Sequence, residues 1–178
     1  MFTSKTKKRG AKIPTKSRLK NIALYYLERF ESSENNLADV LKRRVDKYVF
    51  ENKDYNPEQA YEWIAEIVDE CVKQNYVNDE RFASFKISSY LKAGKSKRYI
   101  EQKLKFKGID DKIITKLFDE FEYSEYDIAI DFARKKKICA FRKDEESRSA
   151  NRQKDLATLV RAGFSYDIAK DVLDAESQ

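Results

Sequence analysis

Two similar turn-and-helix segments recur in the second half of this chain, offset by 55 residues. The first is KFKGIDDKIITKLF, residues 105–118, and the second is RAGFSYDIAKDVLD, residues 161–174. In each, a glycine suited to a left-handed turn precedes a helix whose apolar residues recur at spacings of four. A short helix with one apolar stripe must pack against other helices to bury that stripe. The repetition therefore predicts an all-α chain, built as a tandem array of small helical units.

Helix signals along the rest of the chain extend this array to nine helices in three groups of three. Polar residues suited to N-caps precede several of the apolar stripes; they are Asn56, Asn78 or Asp79, Ser96, Asp110 or Asp111, Ser124 and Ser165. We predict a flexible basic arm (1–18), an atypical acidic repeat 1 (19–77), a basic repeat 2 (78–122), and a repeat 3 (123–178) with a polar insert (142–151) between its first two helices. We expect such an array to be elongated and curved.

The composition favours a binding protein over an enzyme. The chain has no histidine, which removes the commonest general base and metal ligand, and it has no phosphate-binding glycine motif. Cys71 and Cys139 lack metal-ligand spacing, so we predict that they are reduced core residues. The longest apolar run, IALYYL, is too short to span a membrane, and no secretory signal opens the chain. We expect a cytoplasmic protein with no cofactor, metal or small-molecule substrate.

Positive charge is concentrated in two regions of the chain. The formal net charge is +6, and residues 1–20 hold eight lysines or arginines without one acid. Residues 77–121 have four more basic than acidic side chains, whereas residues 21–76 have five more acidic than basic ones. This asymmetry predicts a polyanionic partner for the arm and for repeat 2, while the acidic repeat 1 would not favour DNA. The arm itself fits either a solvated tail or a segment that contacts nucleic acid.

One helix of repeat 2 presents a candidate binding strip. If Ile100 and Leu104 face the core, then Arg98, Gln102 and Lys105 fall on the opposite side of the helix. Fourteen residues form the predicted basic strip for a protein partner or DNA: Lys95, Lys97, Arg98, Gln102, Lys103, Lys105, Lys107, Lys135, Lys136, Lys137, Arg142, Arg152, Lys154 and Arg161. The strip fits either a solvated helix face or a cationic surface that meets phosphates or acidic protein.

Four motifs in this order resemble those of the RecX family of bacterial recombination regulators. They are YVNDERFA (76–83), the Gly-Lys-Ser turn (94–96), the Lys-Gly-Ile turn (107–109) and RAGFSYD (161–167), and the resemblance covers roughly residues 20–174. The resemblance implies three three-helix repeats that bind the RecA recombinase in the helical groove of its DNA filament. It further implies inhibition of RecA ATPase, strand exchange and co-protease activity in DNA repair and the SOS response, with some DNA contact.

Two other functions fit the same pattern. A three-helix unit can place a helix in a DNA groove, so the chain could be a direct nucleic-acid-binding protein that acts without RecA. No helix, however, carries a cluster of Asn, Gln and Arg suited to base edges. The array could also be a protein-interaction scaffold without nucleic acid. Tyr99, Phe106 and Tyr166 are candidate interface anchors, although most aromatic residues serve packing.

Overall fold

The computed structural model describes residues 10–175, and this part of the chain is all-α, as predicted. It contains nine α-helices, one short 3-10 helix (Cys139–Phe141) and no strand. The α-helices are α1 (Lys16–Leu27), α2 (Glu34–Glu51), α3 (Glu58–Lys73), α4 (Asp79–Lys92), α5 (Lys97–Phe106), α6 (Asp111–Glu120), α7 (Glu125–Lys136), α8 (Glu145–Arg161) and α9 (Tyr166–Asp174). The chain divides into two compact units, unit 1 (1–82) and unit 2 (83–178). The division into three repeats stays a prediction.

Most helices begin at the polar residues that the sequence indicates. The side chains of Ser96, Ser124 and Ser165 each accept a hydrogen bond from the backbone N–H three residues later. Asp110 accepts from the N–H of Lys112. These bonds satisfy donors that the first turn of a helix leaves without an intrahelical partner. Asn56 differs slightly from its prediction, because it accepts from Glu58 while Pro57 occupies the cap position.

Unit 1 is a bundle of α1, α2 and α3 around one apolar core. Leu19 of α1, Leu41 of α2 and Ile67 of α3 are almost completely buried there. The prediction of a flexible arm over 1–18 is wrong at its end, because α1 begins at Lys16 and Pro14 is already buried. Residues 1–9 of the predicted arm lie outside the described residues.

The YVNDERFA segment connects three parts of unit 1. Asn78 caps α4 by accepting a hydrogen bond from the N–H of Arg81. Asp79 instead accepts a 2.9 Å bond from the N–H of Glu34, the first residue of α2. Arg81 pairs with Glu31 at 2.9 Å, and its guanidinium also donates to carbonyl oxygens that follow α3. The segment therefore holds the start of α2 and the end of α3 in addition to starting α4.

Three helices, α4, α5 and α8, are followed by a glycine at their C-terminal ends, as the sequence predicts. Gly94, Gly108 and Gly163 have φ values of +71, +78 and +97, a region that side chains with a Cβ rarely adopt. The end of α7 has no glycine, and Lys137 takes the left-handed conformation there with a φ of +54. The backbone N–H of Ile138 then bonds to the carbonyl of Ala133, closing the same kind of C-cap.

The predicted polar insert at 142–151 is mostly helix. Residues 145–151 form the first turns of α8, and Asp144 caps that helix by accepting from the N–H of Ser147. Arg148 donates to the carbonyl of Ala140 at 2.9 Å, so this polar stretch is tied to the preceding 3-10 helix. The insert prediction fails because polar composition alone does not separate a loop from a solvated helix start.

Both cysteines are buried and unpaired, as predicted. Burial raises the pKa of Cys139 to about 12, so its thiol stays protonated at neutral pH. Within residues 10–175, no helix combines the length and the apolar character that crossing a bilayer would require. The same residues contain no group of three or more His, Cys, Asp or Glu side chains placed to hold a metal ion.

Candidate partner-binding surface

Helix α5 presents the polar face that its spacing predicts. Ile100 and Leu104 are buried, and Arg98, Gln102 and Lys105 are exposed on the other side. The helix is ten residues long, and Ile100 and Leu104 are its buried residues.

Tyr99 lies between two lysines of the predicted strip. The ring centroid is 5.2 Å from Nζ of Lys95 and 5.4 Å from Nζ of Lys103, within the range of cation–π contacts. Tyr90 of α4 packs edge-on against the same ring, with centroids 5.8 Å apart. The aromatic ring thus fixes two cations on one side of α5, which sequence spacing alone does not predict.

The start of α5 packs against the turn between α8 and α9. The hydroxyl of Ser96 donates a 2.8 Å hydrogen bond to the carbonyl of Ala162. A Cβ added at Gly163 would lie 2.4 Å from Oγ of Ser96 and 3.6 Å, an ordinary contact distance, from Cβ of Arg98. The end of α8 therefore lies near the start of α5, and Arg161 at that end donates a hydrogen bond to the carbonyl of Ala157.

A second connection brings α7 to the turn before α5. A Cβ added at Gly94 would lie 3.8 Å from Nζ of Lys135, so this lysine reaches the turn that carries Lys95. We define the unit 2 cationic surface as Lys95, Arg98, Tyr99, Lys103, Lys135 and Arg161. It joins strip residues from both predicted repeats within one compact unit.

Three members of the predicted strip form ion pairs. Lys105 pairs with Asp111 at 2.8 Å, and Arg152 pairs with Asp174. The guanidinium of Arg142 binds both carboxylate oxygens of Asp155, at 2.7 and 2.6 Å. Since Asp155 is buried, Arg142 stabilises the folded chain between α7 and α8 and is not part of the unit 2 cationic surface.

Asp155 itself is held as a carboxylate by its neighbours. Burial by itself would raise its pKa, but hydrogen bonds from Arg142 and from the N–H of Cys139, together with the Arg142 charge, leave the pKa below its ordinary value. The Cys139 bond is 2.9 Å long and fixes a residue whose φ is +57. The pair therefore stabilises the irregular chain between α7 and α8.

The remaining strip residues lie around the surface without joining it. Gln102, Lys136, Lys137 and Lys154 are exposed. Nζ of Lys97 lies 5.1 Å from the ring centroid of Phe118, and Nζ of Lys107 lies 6.0 Å from that of Phe106.

Among residues 83–175 four aromatic side chains are exposed: Phe85, Phe106, Tyr126 and Tyr166, of which Phe106 and Tyr166 are predicted interface anchors. Phe106, a predicted interface anchor, is 82% exposed, and Phe85 of α4 is 60% exposed. Nζ of Lys86 lies 5.7 Å from the ring centroid of Phe85. Phe85 follows the buried Phe82 by three positions, so helical spacing could not distinguish the exposed ring from the buried one.

Comparison with known proteins identifies relatives over nearly the whole chain. A family model described as "RecX, second three-helix domain" matches residues 78–117. The chain is 40% identical over 178 residues to the regulatory protein RecX of Myxococcus xanthus, covering 96% of this chain and 94% of that relative. It is 34% identical over 154 residues to the regulatory protein RecX of Streptococcus uberis, covering 86% of this chain but 53% of that longer relative.

Two solved structures share the fold. The crystal structure of RecX from Lactobacillus salivarius superposes with a TM-score of 0.65 at 24% identity, covering 89% of this chain and 96% of that one. A crystal structure named regulatory protein RecX gives a TM-score of 0.66 at 21% identity, covering 90% and 72%. The relatives are named as regulatory proteins, not as enzymes. With near-complete mutual coverage at 40% identity, the chain belongs to the RecX family of regulatory proteins.

Proposed function

We propose that this chain binds the filament that the RecA recombinase forms on DNA, in the helical groove of that filament. Bound there, it lowers the ATPase, strand-exchange and co-protease activities of RecA during DNA repair and the SOS response. The observation that carries this proposal is the 40% identity to a regulatory protein RecX over 96% of the chain. We place the activity in the bacterial cytoplasm, because RecA–DNA filaments would form there.

The unit 2 cationic surface supports a partner of this kind. Lys95, Lys103 and Lys135 come from three different segments, and none of them is paired with an acid among residues 10–175. Such unpaired cations raise the local concentration of polyanions and strengthen binding to phosphates by releasing counterions. A RecA–DNA filament offers both DNA phosphates and acidic protein surface, so one cationic face can meet either.

A second candidate is a direct nucleic-acid-binding protein that acts without RecA. The arrangement that favours it is Tyr99 with Lys95 and Lys103 on either side, since aromatic rings and cations together bind single strands. A gel shift with naked single strands and duplex separates the two functions. Tight binding that RecA does not increase, and that Arg98→Glu/Lys135→Glu abolishes, favours the second candidate.

The test of the main proposal is a titration of RecA ATPase activity on single-stranded DNA. Wild-type chain should suppress the ATPase of RecA from the same organism, and Arg98→Glu/Lys135→Glu should require about tenfold more protein for the same suppression. The matched control is Lys143→Glu/Lys170→Glu, which makes the same charge change at exposed sites of unit 2 outside the surface.

The control variant should act within about twofold of wild type, because general charge effects are screened by salt. A wild-type chain with no effect on RecA would contradict the proposal. Suppression that both variants retain in full would instead favour an interaction scaffold that does not use these cations.

A further inference from the structure

Unit 1 contains a cleft whose walls carry only neutral and cationic residues. The cleft has a volume of about 340 Å³ and lies between the chain before α1 and the helices α1 and α2. We call it the unit 1 cleft. Its apolar lining residues are Pro14, Leu19 and Ile22, of which only Ile22 is partly exposed. Its cations are Lys12, Arg18, Arg44 and Lys47.

This charge distribution is unexpected in an acidic unit. Residues 10–82 hold twelve basic and fourteen acidic side chains, yet no acid is among the residues that line the cleft. Arg44 and Lys47 are three positions apart in α2, so they lie on one face of the helix, where like charges repel. The expectation that this part of the chain would not favour DNA came from its summed charge, which conceals the cleft.

In helix α1, the lysines on one side form ion pairs, whereas the arginine that lines the cleft forms none within the described part of the chain. Lys16 and Lys20 form ion pairs with Glu66 and Glu70 of α3, on one side of the helix. Arg18 lies between them in sequence and lines the cleft instead. Among residues 10–175 none of the four cleft cations forms an ion pair. Their charge is therefore available to a ligand.

One acid, Glu51 at the end of α2, bonds to a lining residue of the cleft. The carboxylate of Glu51 accepts a 2.6 Å hydrogen bond from the backbone N–H of Ala11. This bond, together with the burial of Pro14, holds the chain before α1 against the end of α2. The cleft is therefore built by fixed backbone, although its cations are exposed or half-buried.

We propose that the unit 1 cleft binds the phosphodiester backbone of single-stranded nucleic acid. Arginine and lysine side chains are the usual phosphate ligands. The half-buried Ile22 lines the cleft beside them and can contact the face of a base that a single strand exposes, whereas a duplex keeps its bases stacked inside. The volume fits about one nucleotide, given that small-ligand sites begin near 300 Å³.

The sequence before the cleft favours a strand over an isolated anion or an acidic peptide. Lys5, Lys7, Lys8 and Arg9 precede Gly10, and Lys12 and Arg18 of the cleft continue this run without any acid. A linear run of cations matches a polymer that repeats one charge per nucleotide. This inference goes beyond the proposed function, because it assigns a strand-binding site to unit 1, whereas the proposed function uses the unit 2 cationic surface.

The test measures binding of a short fluorescein-labelled thymidine strand to the full chain by anisotropy, over a series of salt concentrations and without RecA. Arg44→Glu/Lys47→Glu should bind about tenfold more weakly, with a salt slope lower by about 1.4, since each lost phosphate contact removes about 0.7 from the slope for single strands. The matched control, Arg43→Glu/Lys53→Glu, makes the same charge change at exposed sites outside the cleft and should bind within about threefold of wild type.

A second readout locates the strand directly. A strand that carries 4-thiothymidine should crosslink to residues 10–22 or 44–47, and Arg98→Glu/Lys135→Glu should keep these crosslinks. Equal losses in the two unit 1 variants, crosslinks confined to unit 2, or no strand binding by wild type would overturn the proposal. So would full displacement of the strand by inorganic phosphate at constant ionic strength, which would indicate a site for a free anion. None of these results depends on RecA, so the proposed function and this inference can fail separately.

Discussion

The hydroxyl of Ser96 donates a 2.8 Å hydrogen bond to the carbonyl of Ala162, and its oxygen accepts one from the N–H of Tyr99. One buried side chain therefore caps α5 and holds the turn between α8 and α9. The close approach requires Gly163, whose φ is +97 and whose added Cβ would lie 2.4 Å from Oγ of Ser96. This contact sets where Arg98 lies relative to Arg161, and so it organises part of the unit 2 cationic surface.

We expect Gly163→Ala to lower the free energy of unfolding by about 2–4 kcal/mol, because it adds backbone strain to a steric clash. Urea denaturation with linear extrapolation measures the change. Gly94→Ala is the matched control, since its φ is +71 but its nearest neighbour is the flexible end of Lys135 at 3.8 Å. It should cost only about 1 kcal/mol. Equal costs at the two glycines would show that the Ser96 contact does not constrain the turn.

Asp155→Asn should destabilise the protein by about 3 kcal/mol at neutral pH, because it leaves Arg142 without its buried partner. The folded protein holds the pKa of Asp155 below its ordinary value of 3.8. The charged pair therefore stabilises the wild type fully above that value and less as pH falls through the lowered pKa. The difference in unfolding free energy between wild type and variant should thus shrink below about pH 4.

The exposed Arg152–Asp174 pair provides the comparison for Asp155. Both side chains are about half exposed, so Arg152→Gln should change stability by less than about 1 kcal/mol. Two results would contradict a structural role for the buried carboxylate. One is a change in unfolding free energy for Asp155→Asn as small as that for Arg152→Gln, and the other is a loss of stability that does not shrink in acid.

Lys137→Gly should stabilise the protein by about 0.5–1 kcal/mol. Lys137 ends α7 in a left-handed conformation, which costs a residue with a Cβ more than it costs glycine. Lys136→Gly, one position earlier and still helical, should instead destabilise by about 0.5–1 kcal/mol. Thermal unfolding of both variants checks the opposite signs; a loss of stability in both would argue against strain at position 137.

Asp79→Ala should lower the free energy of unfolding by about 1 kcal/mol, because the N–H of Glu34 loses its acceptor. Asp79→Asn keeps an oxygen acceptor and removes a carboxylate whose pKa burial raises. The asparagine variant should therefore match or exceed the wild type at neutral pH. Since a raised pKa favours the folded state as protons bind, wild-type stability relative to the asparagine variant should increase as pH falls toward the carboxyl range. Identical losses in both variants would rule out the capping role.

Local signals in the sequence predict the helices and most of their caps. Ser96, Ser124 and Ser165 act on donors within three residues, so nearby sequence contains both partners of each bond. The sequence does not predict the start of α8, because its first turns are polar. These turns are held in place by the hydrogen bond from Arg148 to the carbonyl of Ala140, eight residues earlier. Local pattern cannot report a contact made through the fold.

The candidate surfaces were predictable only in part. The period of α5 correctly separates its buried residues from its exposed ones. It does not indicate that Lys105 is paired with Asp111 or that Arg142 is paired with Asp155, because such pairing depends on tertiary placement. The sequence does not predict the unit 1 cleft for a related reason. The net charge of a segment does not show which of its side chains lie next to each other in the folded protein.

The hydrogen bond from Glu34 to Asp79 has a consequence for dissecting this protein into fragments. A fragment cut at residue 77, where the predicted repeat 1 ends, would lack the acceptor at the start of α2 and the Arg81 contacts that follow α3. The compact unit extends to residue 82. An N-terminal fragment that keeps these contacts therefore includes the first turn of the next helix, so an expression boundary drawn from repeat counting would remove part of the unit it is meant to isolate.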